Sequence, residues 1–229
     1  MSGSQPHAEV LEALQLVAPE DPSVGERIRV DRGSALHHLG VRTPVRRRLV
    51  KQGFSFTDGT HEQMLNSWDV LWNNSSCADV MFTPLDYYRD RLRAAIPPNF
   101  WETTQTWIAR IDNWAHADDL ARVYSWVLAA DRDNVYPQLQ AWNRMPGLWE
   151  RRISIVSLVH YAGKNSFFMP IEAVLPLLEN CLDDARPLVQ KAVGWVLRET
   201  SDAYPDETVA FLSVHLVAVQ PATWRRETK

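Results

Sequence analysis

Residues 190–199 combine side chains that could hold an anion beside an aromatic surface. The spacing of their apolar positions predicts a helix, yet Gly194 lies in its middle, at a cost of about 1 kcal/mol relative to alanine. Trp195 and Arg198 are three residues apart, so both project from one side of that helix. A helix that only fills a core needs neither feature. We therefore predict an exposed surface where a ring stacks on Trp195 and Arg198 holds a negative charge.

A second candidate pair is Trp114 and Asp118, four residues apart where another helix is predicted to begin. In a structural interpretation Asp118 caps that helix and Trp114 packs against its first turn. In a functional interpretation an exposed carboxylate lies beside an aromatic wall, where it could stabilise developing positive charge. His116 between them could serve as an acid or base, although a single histidine in a turn is more typically just solvated. The residues alone leave these alternatives open.

Adjacent arginines in residues 149–153 form a third candidate. One of Arg151 and Arg152 must face away from the apolar side of the predicted helix, because neighbouring helical positions do not share a face. Either these arginines and Glu150 form a solvated surface, or one arginine binds phosphate from a groove.

Basic residues between positions 42 and 51 have no acidic residue among them. Thr43 followed by Pro44 indicates the start of a helix. Unpaired backbone amides at a helix N-terminus, with cations nearby, bind anions. Local charge of one sign steers a charged partner even when the net charge is opposite. The alternative of a merely soluble helix is weaker here, because no acidic residue balances the run. The segment is therefore predicted to bind phosphate through Arg42, Thr43, Arg46, Arg47, Arg48 and Lys51.

Composition sets the broad class. The 229 residues carry a formal net charge of -4, and the mean hydropathy of -0.29 fits a soluble globular protein with one sizeable core. The sequence has no apolar stretch long enough to span a membrane and no signal-peptide pattern at its start, so no membrane association is expected. Only Cys77 and Cys181 occur, which indicates neither a disulfide framework nor a metal site and suits a reducing, bacterial-type cytosol. Sequence motifs for nucleotides and catalytic metals are absent, so no cofactor is expected.

Helical periodicity dominates and no segment alternates convincingly with period two, so the chain is predicted to be all-α. Capping boxes are predicted at Thr60 with Gln63 and at Asn99 with Glu102. From about residue 99 the helices come in pairs of roughly 35–40 residues, which is typical of a HEAT-like helical-repeat solenoid with a concave groove. We predict a single domain over 1–229, with N-terminal helices to about 95 and site-bearing repeats from about 96 to 226. The predicted helices are 7–18, 24–32, 43–52, 60–73, 78–94, 99–112, 117–130, 133–143, 148–162, 170–182, 187–200 and 206–219.

Taken in order, these blocks resemble the AlkD family of DNA alkylation repair glycosylases, over residues 39–226. The strongest block is residues 191–199, Lys-Ala-Val-Gly-Trp-Val-Leu-Arg-Glu, and residues 39–47 and 149–152 supply two more. The resemblance implies an all-helical HEAT-like protein that acts on alkylated purines. Position by position, it implies that Asp118 is the catalytic aspartate and that Trp114 and Trp195 are groove tryptophans. It further implies that Arg152 binds phosphate while Arg151 faces elsewhere.

The implied activity is that of a monofunctional DNA glycosylase in base excision repair. It would hydrolyse the N-glycosidic bond of N3- or N7-alkylated, cationic purines in duplex DNA, without flipping the base into a deep pocket. Lys191 and Arg198 join the predicted phosphate-binding residues, and the expected partner of this monomer is double-stranded DNA containing alkylated purines. No lysine lies beside Asp118 in the sequence, which favours hydrolysis over a Schiff-base step.

Two alternatives remain at this point. A HEAT-like module could bind damaged or branched DNA without catalysis, or a solenoid could bind only proteins, although the latter would not explain the one-signed run from Arg42 to Lys51. The sequence also departs from the family near Asp31, where an aromatic residue is usual, and after Leu71 and Trp72, where an acidic residue is expected. Both departures concern substrate preference more than the catalytic centre. Small methyl adducts and bulky adducts are both compatible with an open groove.

Overall fold

The computed structural model describes residues 4–159 and 169–215, and this part of the chain is built from helices and loops without a β-strand. The predicted all-α class is therefore confirmed. None of these helices is long and apolar enough to cross a bilayer. They are α1 (Ser4–Gln15), α2 (Ser23–Arg32), α3 (Thr43–Gln52), α4 (His61–Asn74), α5 (Ala78–Arg91), α6 (Phe100–Thr104), α7 (Trp114–Ala130), α8 (Arg132–Asn143), α9 (Leu148–Val156), α10 (Ile171–Glu179), α11 (Pro187–Ala203) and α12 (Pro205–His215), with 3-10 helices at Ser55–Asp58 and Gln105–Arg110.

Local capping signals were reliable where the side chain could reach its target. Thr60 and Gln63 form the predicted capping box, since each side chain accepts a hydrogen bond from the backbone N–H of the other residue. The box predicted at Asn99 is wrong. Asn99 has a φ of 58° and makes no capping hydrogen bond, and the helix predicted over 99–112 is instead the short α6 followed by a 3-10 helix.

Other boundaries agree within a few residues. The helix predicted over 43–52 matches α3, and prolines begin α11 and α12 where a helix start was expected. The helix predicted over 148–162 is too long, because α9 ends at Val156. The end predicted at 219 lies outside the described residues.

The chain divides into two compact units, Met1–Val123 and Tyr124–Lys229. In the first unit α5 is central, because every side chain over 78–88 is buried and the helix packs against α1, α3 and α4. Tryptophans fill much of the remaining core. Trp72 stacks on Trp107 with ring centroids 5.0 Å apart, and the Trp107 indole donates to Asp69.

The second unit is organised around α9, which packs against α8, α10 and α11. The buried Asn143 amide ties these helices together by donating to Ser154 Oγ of α9 and to the carbonyl of Leu177 in α10. Tyr124 stacks on Trp142 at 5.6 Å in the same core. Both α9 and α11, which carry predicted site residues, are therefore held by a packed interior.

Candidate functional site

The start of α7 positions the candidate pair Trp114 and Asp118. Asn113 caps this helix, because its side-chain Oδ1 accepts hydrogen bonds from the backbone N–H groups of Ala115 and His116. The helix thus begins three residues earlier than predicted, and Asp118 lies within it instead of capping it. Four residues apart in one helix, Asp118 and Trp114 project from the same side. Trp114 is 38% exposed and Asp118 is partly buried, so this side borders solvent.

His116 lies on the opposite, interior side, and both sequence interpretations of it are wrong. Its ring is 0% exposed and lies 4.0 Å, centroid to centroid, from the ring of Phe82. One ring nitrogen bonds to the Asn113 amide at 2.9 Å and the other to the Ala78 carbonyl at 3.1 Å. Burial lowers the pKa of His116 to about 3, against attraction from Asp112. His116 is therefore a neutral core residue, neither solvated nor placed to exchange protons with a substrate.

Asp112, just before the cap, connects α7 to the loop that follows α2. One carboxylate oxygen accepts hydrogen bonds from Ser34 Oγ and from the backbone N–H groups of Ala35 and Leu36. Partial burial would raise the pKa of Asp112, but the hydrogen bonds from Asn113 and Ser34 hold it below its usual value. The beginning of α7 is therefore fixed on both sides.

The basic helix α3 is divided between the interior and the surface. Arg46 is only 3% exposed, and its Nε lies 2.6 Å from Asp86 Oδ2 in α5. Arg47 donates to the other oxygen of Asp86 at 2.9 Å, with about two-fifths of its side chain exposed. The run has no acid in sequence, but the fold brings Asp86 to it. Burial and this ion pair argue against the predicted phosphate contact by Arg46.

The exposed members of the basic run are Arg42, Arg48 and Lys51, with Thr43 partly exposed at the start of the helix.

Asp79 fixes the backbone just before the start of α3. Its carboxylate accepts hydrogen bonds from the N–H groups of Leu39 at 2.7 Å and of Val41 at 3.1 Å. In the sequence, Asp79 gives no signal beyond that of an ordinary helix start, two residues after Cys77.

Asp119, next to the predicted catalytic aspartate, has an unusual environment. Burial and the nearby charge of Asp86 raise its pKa, while Arg46 and Arg122 oppose that shift. Its environment makes it a useful reference when the role of Asp118 is tested.

In the second unit, both arginines of α9 have internal acceptors. Arg152 is 5% exposed and its guanidinium donates to the carbonyl of Leu188. Arg151 pairs with Asp184 at 3.2 Å and donates to the carbonyl of Asn180. The two side chains have different partners, and Arg152, for which the resemblance implies a phosphate contact, is the more buried of the two.

Helix α11 carries the remaining predicted residues. Trp195 is partly exposed, and Lys191 and Arg198 are exposed, with Arg198 3.1 Å from Glu199. The start of α11 is fixed by the buried Gln190, whose amide nitrogen donates to the carbonyls of three residues in the preceding turn: Cys181, Leu182 and Asp184. Lys191, Trp195 and Arg198 are spaced four and three residues apart, so one side of α11 can present two cations and an indole to solvent.

The predicted residues thus fall into two groups, with Trp114 and Asp118 in the first unit and Arg152 and Trp195 in the second. Across residues 4–159 and 169–215, no three His, Cys, Asp or Glu side chains are grouped so that they could hold a metal ion. The chemistry available to these groups is therefore that of carboxylate, indole and guanidinium.

Solved structures share this fold. A "predicted DNA alkylation repair enzyme" from Enterococcus faecalis superposes with a TM-score of 0.72 at 12% identity, covering 90% of this chain and 93% of that one. AlkD2 from Streptococcus mutans gives a TM-score of 0.55 at 16% identity, covering 90% and 91%. The protein smu.31 from Streptococcus mutans UA159 gives 0.54 at 16%, covering 91% and 92%. At these identities the likeness shows the fold alone, which defines a class of all-α helical-repeat proteins.

The sequence itself identifies the family. The family model described as DNA alkylation repair enzyme matches residues 22–228, almost the whole chain, whereas no curated protein sequence matches it. The chain belongs to the DNA alkylation repair enzyme family, so the family predicted from the sequence blocks is confirmed.

Proposed function

We propose that the protein is a DNA glycosylase that hydrolyses the N-glycosidic bond of N3- or N7-alkylated purines in duplex DNA. The observation that carries this proposal is the pair at the start of α7: an exposed indole and a carboxylate on one side of a firmly capped helix, in a chain of this family. The pair supplies what the reaction needs most, a negative charge beside an aromatic surface.

The chemistry makes modest demands on the protein. Alkylation at N3 or N7 gives the purine a positive charge, so the base departs with the electron pair of the glycosidic bond and becomes neutral. Positive charge then grows on the deoxyribose. A water molecule adds to the anomeric carbon and loses a proton, which completes hydrolysis.

In this proposal Asp118 stabilises the sugar cation electrostatically and orients the attacking water. Trp114 holds the deoxyribose against its ring face, and the resemblance gives Trp195 the same kind of role. An indole favours a nearby cation by about 0.5–2 kcal/mol. No step requires a metal or another cofactor. No step requires a second copy of the chain, so we propose that the protein acts as a monomer, in a bacterial-type cytosol.

Double-stranded DNA is the proposed partner, and its phosphates would be bound by exposed cations. Arg42, Arg48 and Lys51 on and beside α3 meet that requirement, with Arg47 and the backbone at Thr43 nearby. Lys191 and Arg198 meet it on α11. Arg152 is the weakest member of the proposed set, because its buried guanidinium already donates to Leu188.

The test is release of 7-methylguanine from a methylated duplex oligonucleotide by three proteins: wild type, Asp118→Asn and Asp119→Asn. We expect release by wild type and loss of release in Asp118→Asn with DNA binding retained, because this change removes a charge and little volume. Asp119→Asn is the matched control, since it makes the same change one residue later and should retain activity.

Each other outcome is informative. Loss of release only in Asp119→Asn would move the catalytic role to Asp119. Equal release by all three proteins would remove both aspartates from the mechanism. DNA binding without release by wild type, on both small and bulky adducts, would favour the alternative of a non-catalytic module for damaged or branched DNA.

A further inference from the structure

Arg32 ends α2 with its guanidinium among aromatic rings. Its Cζ atom lies 5.9 Å from the centroid of the Trp114 ring and 5.2 Å from that of Phe82. Arg46 stacks on the same Phe82 ring at 4.3 Å. Two guanidinium groups therefore share one aromatic surface, and one of them reaches the exposed indole of the candidate site.

The two arginines differ in their partners. Arg46 has its ion pair with Asp86, whereas the Arg32 side chain has neither a hydrogen bond nor an ion pair with any residue in the described part of the chain. Its side chain is partly buried but keeps some contact with solvent. An arginine carries five N–H donors in a planar fork, and stacking on a ring leaves the edge of that fork available.

The charged groups around Arg32 do not supply it with an ion-pair partner. Burial, and secondarily the charge of Arg46, lower its pKa, although Asp79, Asp119 and Asp31 attract it from a distance. Both Asp79 oxygens already accept backbone hydrogen bonds, from Leu39 and Val41. A partly dehydrated cation beside another cation, with unused donors, is suited to an external anion.

We propose that Arg32 binds a phosphodiester oxygen of the DNA next to the nucleotide that Trp114 contacts. This inference rests on the proposed function, because Trp114 is taken as a wall for the deoxyribose. A sugar and its phosphate are covalently adjacent, so a cation in contact with the indole that holds the sugar is within reach of that phosphate. In this respect Arg32 takes the role that sequence reasoning gave to Arg46.

A structural role makes a different prediction. Arg32 is a cation at the C-terminus of α2, where it also favours the helix dipole. If that were its whole role, its removal would lower thermal stability and leave the salt dependence of DNA binding unchanged. The number of ions released on binding, read from that salt dependence, distinguishes the two roles.

The experiment compares wild type, Arg32→Gln and Arg32→Lys for binding to a methylated duplex between 50 and 200 mM salt. We expect the slope of log affinity against log salt to fall by about 0.9 in Arg32→Gln, the value for one phosphate contact. Arg32→Lys should keep the slope, because it keeps the charge, with weaker affinity from the lost planar fork. Arg27→Gln is the matched control: it removes an arginine from the same helix, where the side chain pairs with Asp21 and Ser23, and should bind like wild type.

An unchanged slope in Arg32→Gln, with normal binding by wild type, would overturn the role of Arg32 and leave the proposed function standing. Absence of DNA binding by wild type would overturn both. If Arg32→Gln fails to fold, Arg32→Met decides by the same criterion, because its unbranched stem still packs against the two rings.

Discussion

His116 lies between two residues with proposed functions, yet its own role is structural. Both ring nitrogens are occupied by Asn113 and the Ala78 carbonyl, and the ring packs against Phe82 and Trp72. A protonated imidazole would need two acceptors in this buried position, so the folded protein holds the neutral form. The residue thus orients the first turn of α7, and through it Trp114 and Asp118.

The first prediction concerns the pH dependence of stability. Burial lowers the pKa of His116 to about 3, whereas an unfolded chain titrates near 6.5. Between these values the unfolded chain binds a proton that the folded protein does not. The contribution of neutral His116 to the free energy of unfolding is therefore complete above about pH 6.5. As the pH falls below that value, the free energy of unfolding decreases by up to about 1.4 kcal/mol per pH unit.

Urea unfolding of wild type and His116→Gln at pH 7, 6 and 5 tests this. This pH range lies above the pKa values of most carboxylates. In His116→Gln, the slope of the unfolding free energy against pH should therefore be smaller by the amount that one proton contributes. His38, whose pKa burial also lowers, should supply what slope remains. Identical slopes in the two proteins would contradict the buried, neutral assignment.

At the scale of elements, Asp86 joins α3 to α5. Its two carboxylate oxygens accept hydrogen bonds from Arg46 and Arg47, which precede it by 40 and 39 residues. The pair with Arg46 is nearly inaccessible to solvent at both ends, whereas Arg47 remains partly exposed. This arrangement aims the other face of α3, with Arg48 and Lys51, toward solvent.

The second prediction follows from that difference in burial. Asp86→Asn should lower the free energy of unfolding by about 3–5 kcal/mol, because it leaves the buried Arg46 charge without its partner. Arg47→Gln is the control at the exposed end and should cost about 1 kcal/mol or less. Urea unfolding at pH 7 gives both values, and similar losses in the two variants would show that the pair with Arg46 is not special.

A second element contact aligns α2 with the segment before α3. A Cβ at Gly25 would lie 2.0 Å from the His38 carbonyl oxygen, and Gly40, with a φ of +80°, faces Gly25 in turn. The two glycines allow backbone to pass against backbone, which no larger residue permits. Asp79 then holds both neighbours of Gly40, so the first turn of α2 has a defined position against the segment before α3.

At the scale of the whole molecule, the net charge of -4 does not describe the local charge at the surface of α3. The helix α3 contains no acidic residue, and Asp86 offsets only one of the two charges of Arg46 and Arg47, so the charge that α3 shows to solvent is positive. A local field of this kind steers a polyanion despite the acidic total. The total therefore says little about the partner.

The third prediction is that duplex DNA binding weakens linearly with salt on a logarithmic scale, in proportion to the phosphates contacted. Replacing both Arg48 and Lys51 with glutamine should reduce the slope by about 1.8, if each contacts one phosphate. Replacing the exposed Arg132 and Arg144 with glutamine makes the same change in charge elsewhere and should leave the slope unaltered. A protein-binding solenoid would give no DNA affinity with any of these proteins.

The sequence by itself determined the all-α class, the family, most helix starts and the spacing of Trp114 from Asp118. These follow from short-range rules: apolar periodicity, proline at a first turn, and side chains four residues apart on one face. It also marked the capping box at Thr60, whose two partners are three residues apart.

Only the tertiary structure decided which polar residues are buried, because their partners lie far away in sequence. It placed Asp86 beside the arginine run, which removed Arg46 from the surface, and it enclosed His116 beneath Ala78 and Phe82. It also brought Arg32, without an ion pair in the described chain, to the indole of Trp114. Desolvation and long-range ion pairing depend on what surrounds a residue in space, and no local pattern of residues carries that information.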